Sequence, residues 1–272
     1  MANTSTYAQR ARRAERSPAM AGVARLGLTA RATVYLLIGW LAVQIALGHR
    51  SQEADQRGAV AEIAQQSYGL VLLWLLGLGL AAYAVWRLSQ AAFGTPAEGR
   101  KKGPRLRCLC QGSVYAAVAA TTFGFIAGAS RQSQSQQQAT MTARAMRHDG
   151  GRWLVGLVGL IVVVVGLALL VEGALKKFTK QLRLDEPTGR ERTLVVGVGM
   201  IGYIARGVVF ALAGVLVIDA AVTFNPDKST GLDGALRTLA DRSYGPWILG
   251  ILAAGLVVFG LYSLAEARWV KT

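Results

Sequence analysis

The chain has 272 residues, of which 53% are hydrophobic and only 17% charged, and its formal net charge is +15. A soluble domain of this length carries about 25% charge, so the composition excludes a disordered chain and argues against a plain soluble enzyme. Two Cys and two His exclude a disulfide scaffold or thiolate cluster and leave little for a metal centre.

Residues 1–20 form a basic segment with Arg10, Arg12, Arg13 and Arg16. Basic residues before an apolar block resemble a secretory leader. The block is long and recurs later in the chain, however, so it is expected to be retained. Six apolar blocks follow, at Leu26–Leu47, Gly69–Phe93, Cys108–Ala129, Trp153–Leu175, Leu194–Ala220 and Gly245–Ala267. At about 1.5 Å per residue each crosses a hydrocarbon core of about 30 Å. Backbone polar groups cannot face lipid unpaired, which leaves helices or a closed barrel. A barrel requires alternating polarity, and Leu70–Leu76 and Leu157–Val165 do not alternate.

Lys and Arg placement sets the expected orientation. With the N-terminus inside, the inner segments carry 19 basic residues against 9 outside, and Arg31 and Arg206 fall within spans. Both termini are therefore expected on the cytoplasmic face of a bacterial inner membrane. The same bias accounts for the basic charge without nucleic acid. The run Arg100–Arg107 is read as an ordinary stop signal in preference to a lipid-headgroup patch.

An internal repeat organises the six blocks. Ala30-Arg31-Ala32-Thr33-Val34-Tyr35, Cys110-Gln111-Gly112-Ser113-Val114-Tyr115 and Ala205-Arg206-Gly207-Val208-Val209-Phe210 share one pattern, and each opens an odd-numbered span. Ser67-Tyr68-Gly69 recurs as Ser243-Tyr244-Gly245, and Trp153-Leu154-Val155-Gly156 recurs as Trp247-Ile248-Leu249-Gly250. Between spans, Gly58-Ala59-Val60 recurs as Gly234-Ala235-Leu236, read as a short amphipathic helix at the outer interface. The second unit has the Gln/Ser-rich stretch Gln132–Gln138 there, before Met141 and Met146. The units run 21–94, 103–178 and 194–269 within one six-helix domain. Two spans per unit keep every copy in one orientation, so these are parallel repeats about a pseudo-threefold axis along the membrane normal.

The Arg-small-x-Val-aromatic opening, the Gly-Ala-Leu outer helix and the tandem two-span unit resemble the bacterial membrane family catalogued as domain of unknown function 1206. The resemblance covers nearly the whole chain beyond the first 20 residues. Gln111 in place of Arg and the polar loop of unit two depart from the pattern. The resemblance implies an all-α membrane architecture and adds nothing about catalysis, since no activity is established for that family.

Charge inside a membrane is costly, so each instance is a candidate site. Arg31, Gln111 and Arg206 are equivalent in the odd spans, as are Gln90, Glu172 and Glu266 in the even ones. All six are expected at one depth near the inner face. Pairing each odd span with the preceding even one gives Arg206 with Glu172, Gln111 with Gln90 and, if the ring closes, Arg31 with Glu266. Charge then meets opposite charge and amide meets amide. The expectation is a closed six-helix ring clamped by these contacts. Two other roles stay open for the set, snorkelling to headgroups and a gate or ion relay. Asp219 near the outer end of the fifth span is an interfacial residue or lines an outer vestibule, and Arg87 is expected to snorkel inward.

Gly197-Val198-Gly199-Met200-Ile201-Gly202 fits the dinucleotide fingerprint, with Asp219 following. It lies in an apolar span with no strand before it, so close helix packing is preferred. Cys108 and Cys110 lack companions for a metal site, and His49 and His148 fall in outer loops. No cofactor, metal or nucleophile set is expected. The expected function is therefore structural or accessory, binding lipid, a membrane-protein partner or a second copy through the outer helices. The alternative is a small channel or transporter with its path along the axis, and an enzyme ranks third.

Overall fold

In the computed structural model the described residues are 18–48, 54–95, 101–128, 134–148, 150–182, 189–223, 225, 231–240 and 244–270. The basic segment up to residue 17, His49 and Ser243 lie outside them. The described residues are almost wholly helical. Six long helices are α1 (Pro18–Ala46), α3 (Gly69–Phe93), α4 (Lys102–Ile126), α6 (Gly151–Ala174), α7 (Gly189–Thr223) and α9 (Gly245–Trp269). Three short ones, α2 (Gln56–Ala64), α5 (Gln134–Met146) and α8 (Gly231–Ala240), lie between the members of each long pair. All six long helices are long and apolar enough to cross a bilayer, which makes this a multi-pass membrane protein. The chain is thus three tandem copies of long helix, short helix, long helix.

The first helix of each long pair, α1, α4 and α7, begins ahead of its apolar block. Helix α4 starts at Lys102, six residues before Cys108, and carries Pro104 in its first turn. Proline is tolerated there because the first amide hydrogens of a helix have no partner within it. The second unit also differs from its expected polar loop. Its Gln-rich stretch continues into α5, since Gln, Ala, Met and Arg are good helix formers.

The long helices pack in the order α4, α3, α1, α9, α7, α6, each against the next. Small residues set these seams, as they do between membrane helices generally. Gly159, Gly166 and Gly173 recur every seven residues along α6. A β-carbon on any of them would lie within 3 Å of α7. Gly112 of α4 sits equally tightly on Leu88 of α3, and Gly260 of α9 on Leu36 of α1.

The ring expected from the repeat does not close. Among the described residues α4 and α6, the two spans of unit two, do not pack along their length. Equivalent positions supply the reason. In unit one, β-carbons on Gly27 and Gly79 would lie 2.5 Å from Tyr83 and from Ala30. In unit three, those on Gly202 and Gly255 would lie 2.6 Å from Phe259 and 2.3 Å from Ala205. These small-residue contacts close hairpins one and three. In unit two the corresponding residues are Arg107 for Gly27 and Gly202, Ile161 for Gly79 and Gly255, and Cys110 for Ala30 and Ala205. Bulk at all three positions keeps α4 and α6 apart, so the six helices form an arc open on one side.

At one end the short helices form a linked layer. Asp55 caps α2 by accepting from the Arg57 and Gly58 amides, each at 2.9 Å. Asp233 of α8 accepts from the Ala54 amide at 2.8 Å and from Arg237 Nε at 2.8 Å. Arg57 donates to Gln137 of α5. At the opposite end, which carries the start of α1 and the end of α9, a 3₁₀ turn (Lys177–Gln181) follows α6. It folds Phe178 into the bundle, where the ring stacks on Tyr203 with centroids 5.0 Å apart. Leu182 then forms an isolated antiparallel bridge with Val270. Aromatic side chains occupy the interior, and Tyr83, Phe259, Tyr262 and Phe178 are all fully buried.

Candidate functional site

The polar residues of the interior gather at the end that carries the termini of the bundle. Glu266 is the centre of the first group. Its carboxylate accepts from Arg31 Nη2 at 2.6 Å and lies 3.9 Å from Arg87 Nη2. Arg31 also donates to the Tyr83 hydroxyl at 2.9 Å and to Ser263 Oγ at 3.0 Å. Ser263 Oγ in turn donates to the Phe259 carbonyl at 2.9 Å, and Arg87 Nε donates to the Tyr83 hydroxyl at 3.0 Å. The contact of Arg31 with Glu266 arises because α9 packs on α1, bringing the third unit onto the first. Arg87 does not snorkel. It is 4% exposed, lies over the Trp86 ring at 4.4 Å, and finds partners inside the bundle that outcompete water.

Glu172 pairs with Arg107 at 2.9 Å, not with Arg206. Helix geometry explains the exchange. On α6 the residue that faces α7 is Gly173, and Glu172 lies about 100° around the helix from it, toward the open side. On α7, Gly207 faces α6, so Arg206 is turned away by the same angle. Arg206 lies over the rings of Tyr35, Phe210 and Phe259, at 5.1, 5.3 and 4.9 Å from their centroids. Among the described residues no carboxylate reaches it, and its Nε has no hydrogen-bond partner.

The amide pair is also replaced. Gln90 Oε1 accepts from Arg87 Nη1 at 2.9 Å, and Cys108 Sγ lies 3.6 Å from it. Arg87 is three residues before Gln90 on the same face, and a charged donor outcompetes an amide. Gln111 Oε1 is left buried without a partner. The six expected residues therefore fall into three settings: Arg31, Gln90 and Glu266 in one network, Glu172 facing Arg107, and Arg206 and Gln111 apart. Asp219 is half-buried on α7 one turn before its end, on the side of the short helices. Gly197, Gly199 and Gly202 all lie inside α7, where a β-carbon at Gly199 would meet Phe178 and one at Gly202 would meet Phe259.

Sequence reasoning missed Arg107, Tyr83 and Ser263, and it placed Arg87 at the headgroups instead of in the interior. Arg107 was hidden in a run of basic residues. The signal for it is its place opposite Gly27 and Gly202, where the repeat otherwise has glycine. Arg87 and Ser263 are equivalent in the repeat, and both join the network around Glu266, Arg87 by its charge and Ser263 by accepting from Arg31.

Behind the Arg107–Glu172 pair the open side holds a cavity of about 530 Å³. It lies among α3, α4, α6 and the 3₁₀ turn. Trp86, Arg87 and Gln90 line its inner end, and Val164, Leu167 and Val171 form a wall along α6. Lys177 and Lys180 stand at its mouth.

Comparison with known proteins gives a consistent picture. The family described as "Domain of Unknown Function (DUF1206)" matches three times, over residues 26–94, 106–176 and 201–270. The chain is similar to "Uncharacterized protein YxxB" of Bacillus subtilis (strain 168), with 30% identity over 255 residues that cover 93% of this chain and 92% of the relative. No solved structure matches.

Proposed function

Because the chain belongs to the family described as Domain of Unknown Function (DUF1206), its role must be argued from its own geometry, and we propose an accessory membrane protein that holds another membrane component against its open side. In this reading it is neither a conduit nor an enzyme. One observation carries the proposal: the interior is filled while one flank is open. Tyr83, Phe259, Tyr262 and Phe178 are fully buried in the interior, and Tyr203 packs edge-on against Phe259 at 5.4 Å. By contrast α4 and α6 are the least buried of the six spans. Large apolar side chains on them, such as Leu106, Val114, Leu157 and Ile161, are half or more exposed. A filled axis disfavours the channel reading, in which solute would pass Asp219 and then the Arg31, Arg206 and Glu172 set.

The proposed setting is a bacterial plasma membrane with both termini in the cytoplasm. Its support is the bacterial relative and the excess of Lys and Arg on the side of the termini. Reconstitution into liposomes tests the proposal. We expect ion and small-solute flux no greater than in empty vesicles. Flux that disappears in Glu172→Gln or Arg206→Gln would overturn the accessory reading.

A further inference from the structure

The cavity between α4 and α6 combines three features that converge on one kind of ligand. It opens laterally, because unit two lacks the small residues that close the other two hairpins. It has an apolar wall, with Val164, Leu167 and Val171 at successive turns of one face of α6 and each about half exposed. At the end nearest the chain termini it is cationic. Arg87, Arg107, Lys177 and Lys180 line it against the single carboxylate of Glu172.

Resting on the accessory reading above, we infer that this cavity is a binding site for one anionic phospholipid. The phosphate would sit among Arg107, Lys177 and Lys180, and an acyl chain would run along the Val164–Leu167–Val171 face. Basic pockets between membrane helices take anionic headgroups in this way. Arg107 presents the forked donor geometry suited to phosphate, and the two lysines add point charges. Glu172 is the internal stand-in for the phosphate, because it accepts from Arg107 at 2.9 Å. A lipid headgroup arriving there competes for a guanidinium whose side chain is 38% exposed and so reachable.

The geometry favours a lipid over a second copy of the chain or a partner helix. A cavity of about 530 Å³ takes a headgroup and part of an acyl chain, whereas a helix with its side chains is about 10 Å across and fills that volume in little more than one turn. The interior next to the cavity also holds more guanidiniums than carboxylates. Arg31 and Arg87 share the carboxylate of Glu266, and among the described residues no carboxylate reaches Arg206, so an added anion is favoured.

The test uses the purified full chain in a neutral detergent, titrated with phosphatidylglycerol or phosphatidylcholine and read by native mass spectrometry and thermal unfolding. We expect one phosphatidylglycerol retained at least tenfold more tightly than phosphatidylcholine. Lys177→Gln/Lys180→Gln, which changes only exposed residues outside the spans, removes most of that preference. Arg268→Gln, in a separate cleft beside Arg25 and Glu191, leaves it intact. Equal retention of the two lipids, or a preference unchanged in the double lysine variant, overturns the inference. Displacement by soluble glycerol phosphate at the same concentration as the lipid assigns the site to a free anion and overturns it too. So does a dimer that forms on delipidation and dissociates on adding either lipid. These outcomes are independent of the flux measurement, so the lipid site can fail while the accessory reading stands.

Discussion

Glu266 balances two guanidiniums in the buried interior, so a substitution there reads the electrostatics of the core directly. It is 1% exposed and accepts from Arg31 at 2.6 Å while Arg87 lies within 3.9 Å. Removing one member of a buried pair leaves the other charge uncompensated, at a cost of about 3–5 kcal/mol. Glu266→Gln should therefore lower the thermal unfolding midpoint in detergent markedly, and Arg31→Gln should do the same. Arg31→Gln/Glu266→Gln should recover part of the loss, because Arg87 then keeps Tyr83 and Gln90 as partners. Arg206 behaves differently, since it forfeits only its position over three aromatic rings. At about 0.5–2 kcal/mol for a cation over a ring, Arg206→Gln should cost well under the loss seen at Glu266. Equal losses at both sites would show that Arg206 has a counter-charge. The contact of Arg31 with Glu266 was legible in the sequence, since charge placement across the repeat leaves few partners. That of Glu172 was not, because two residues at one depth can point about 100° apart when each lies beside an interface glycine.

At the scale of the element, six spans and their tandem repeat were readable because hydropathy and self-similarity report length and recurrence. The faces of the spans were not, for a helix that is apolar all round gives no moment to follow. Glycines carried that information instead. Gly202 faces the backbone of Phe259, where a β-carbon would lie 2.6 Å away, while nothing lies within 4 Å of one at Gly197. Gly202→Ala should destabilise by about 1–3 kcal/mol as α7 and α9 are forced apart. Gly197→Ala, on the same helix in open space, should stabilise by about 1 kcal/mol through helix propensity. Thermal unfolding of the two variants side by side checks the contrast, and similar shifts would refute the packing of α7 on α9. The same logic was present in unit two from the outset. Arg107, Cys110 and Ile161 stand where the sister units have Gly or Ala, and those replacements separate α4 from α6.

For the whole molecule the consequence is an arc whose usable surface faces sideways into the bilayer. A closed ring with a hollow centre would place its function on the axis. In an open arc filled by Tyr83, Phe259, Tyr262 and Phe178, the surface left for the proposed role is the flank, where α4 and α6 end the series without packing on each other. Cysteine pairs in a background without Cys108 and Cys110 distinguish these forms. Leu88→Cys/Gly112→Cys joins α3 to α4, and Leu36→Cys/Gly260→Cys joins α1 to α9. Both should oxidise readily, because a β-carbon on either glycine would lie 2.7 Å from its partner side chain. Ile161→Cys with Cys110 restored, the pair equivalent to Gly79 with Ala30 and Gly255 with Ala205, should remain reduced, since α4 and α6 do not pack along their length. Bridging of Cys110 to a cysteine at Ile161 as fast as at the other two pairs would mean that the ring closes in the membrane. The flank would then be lost, and with it the physical basis for holding anything there.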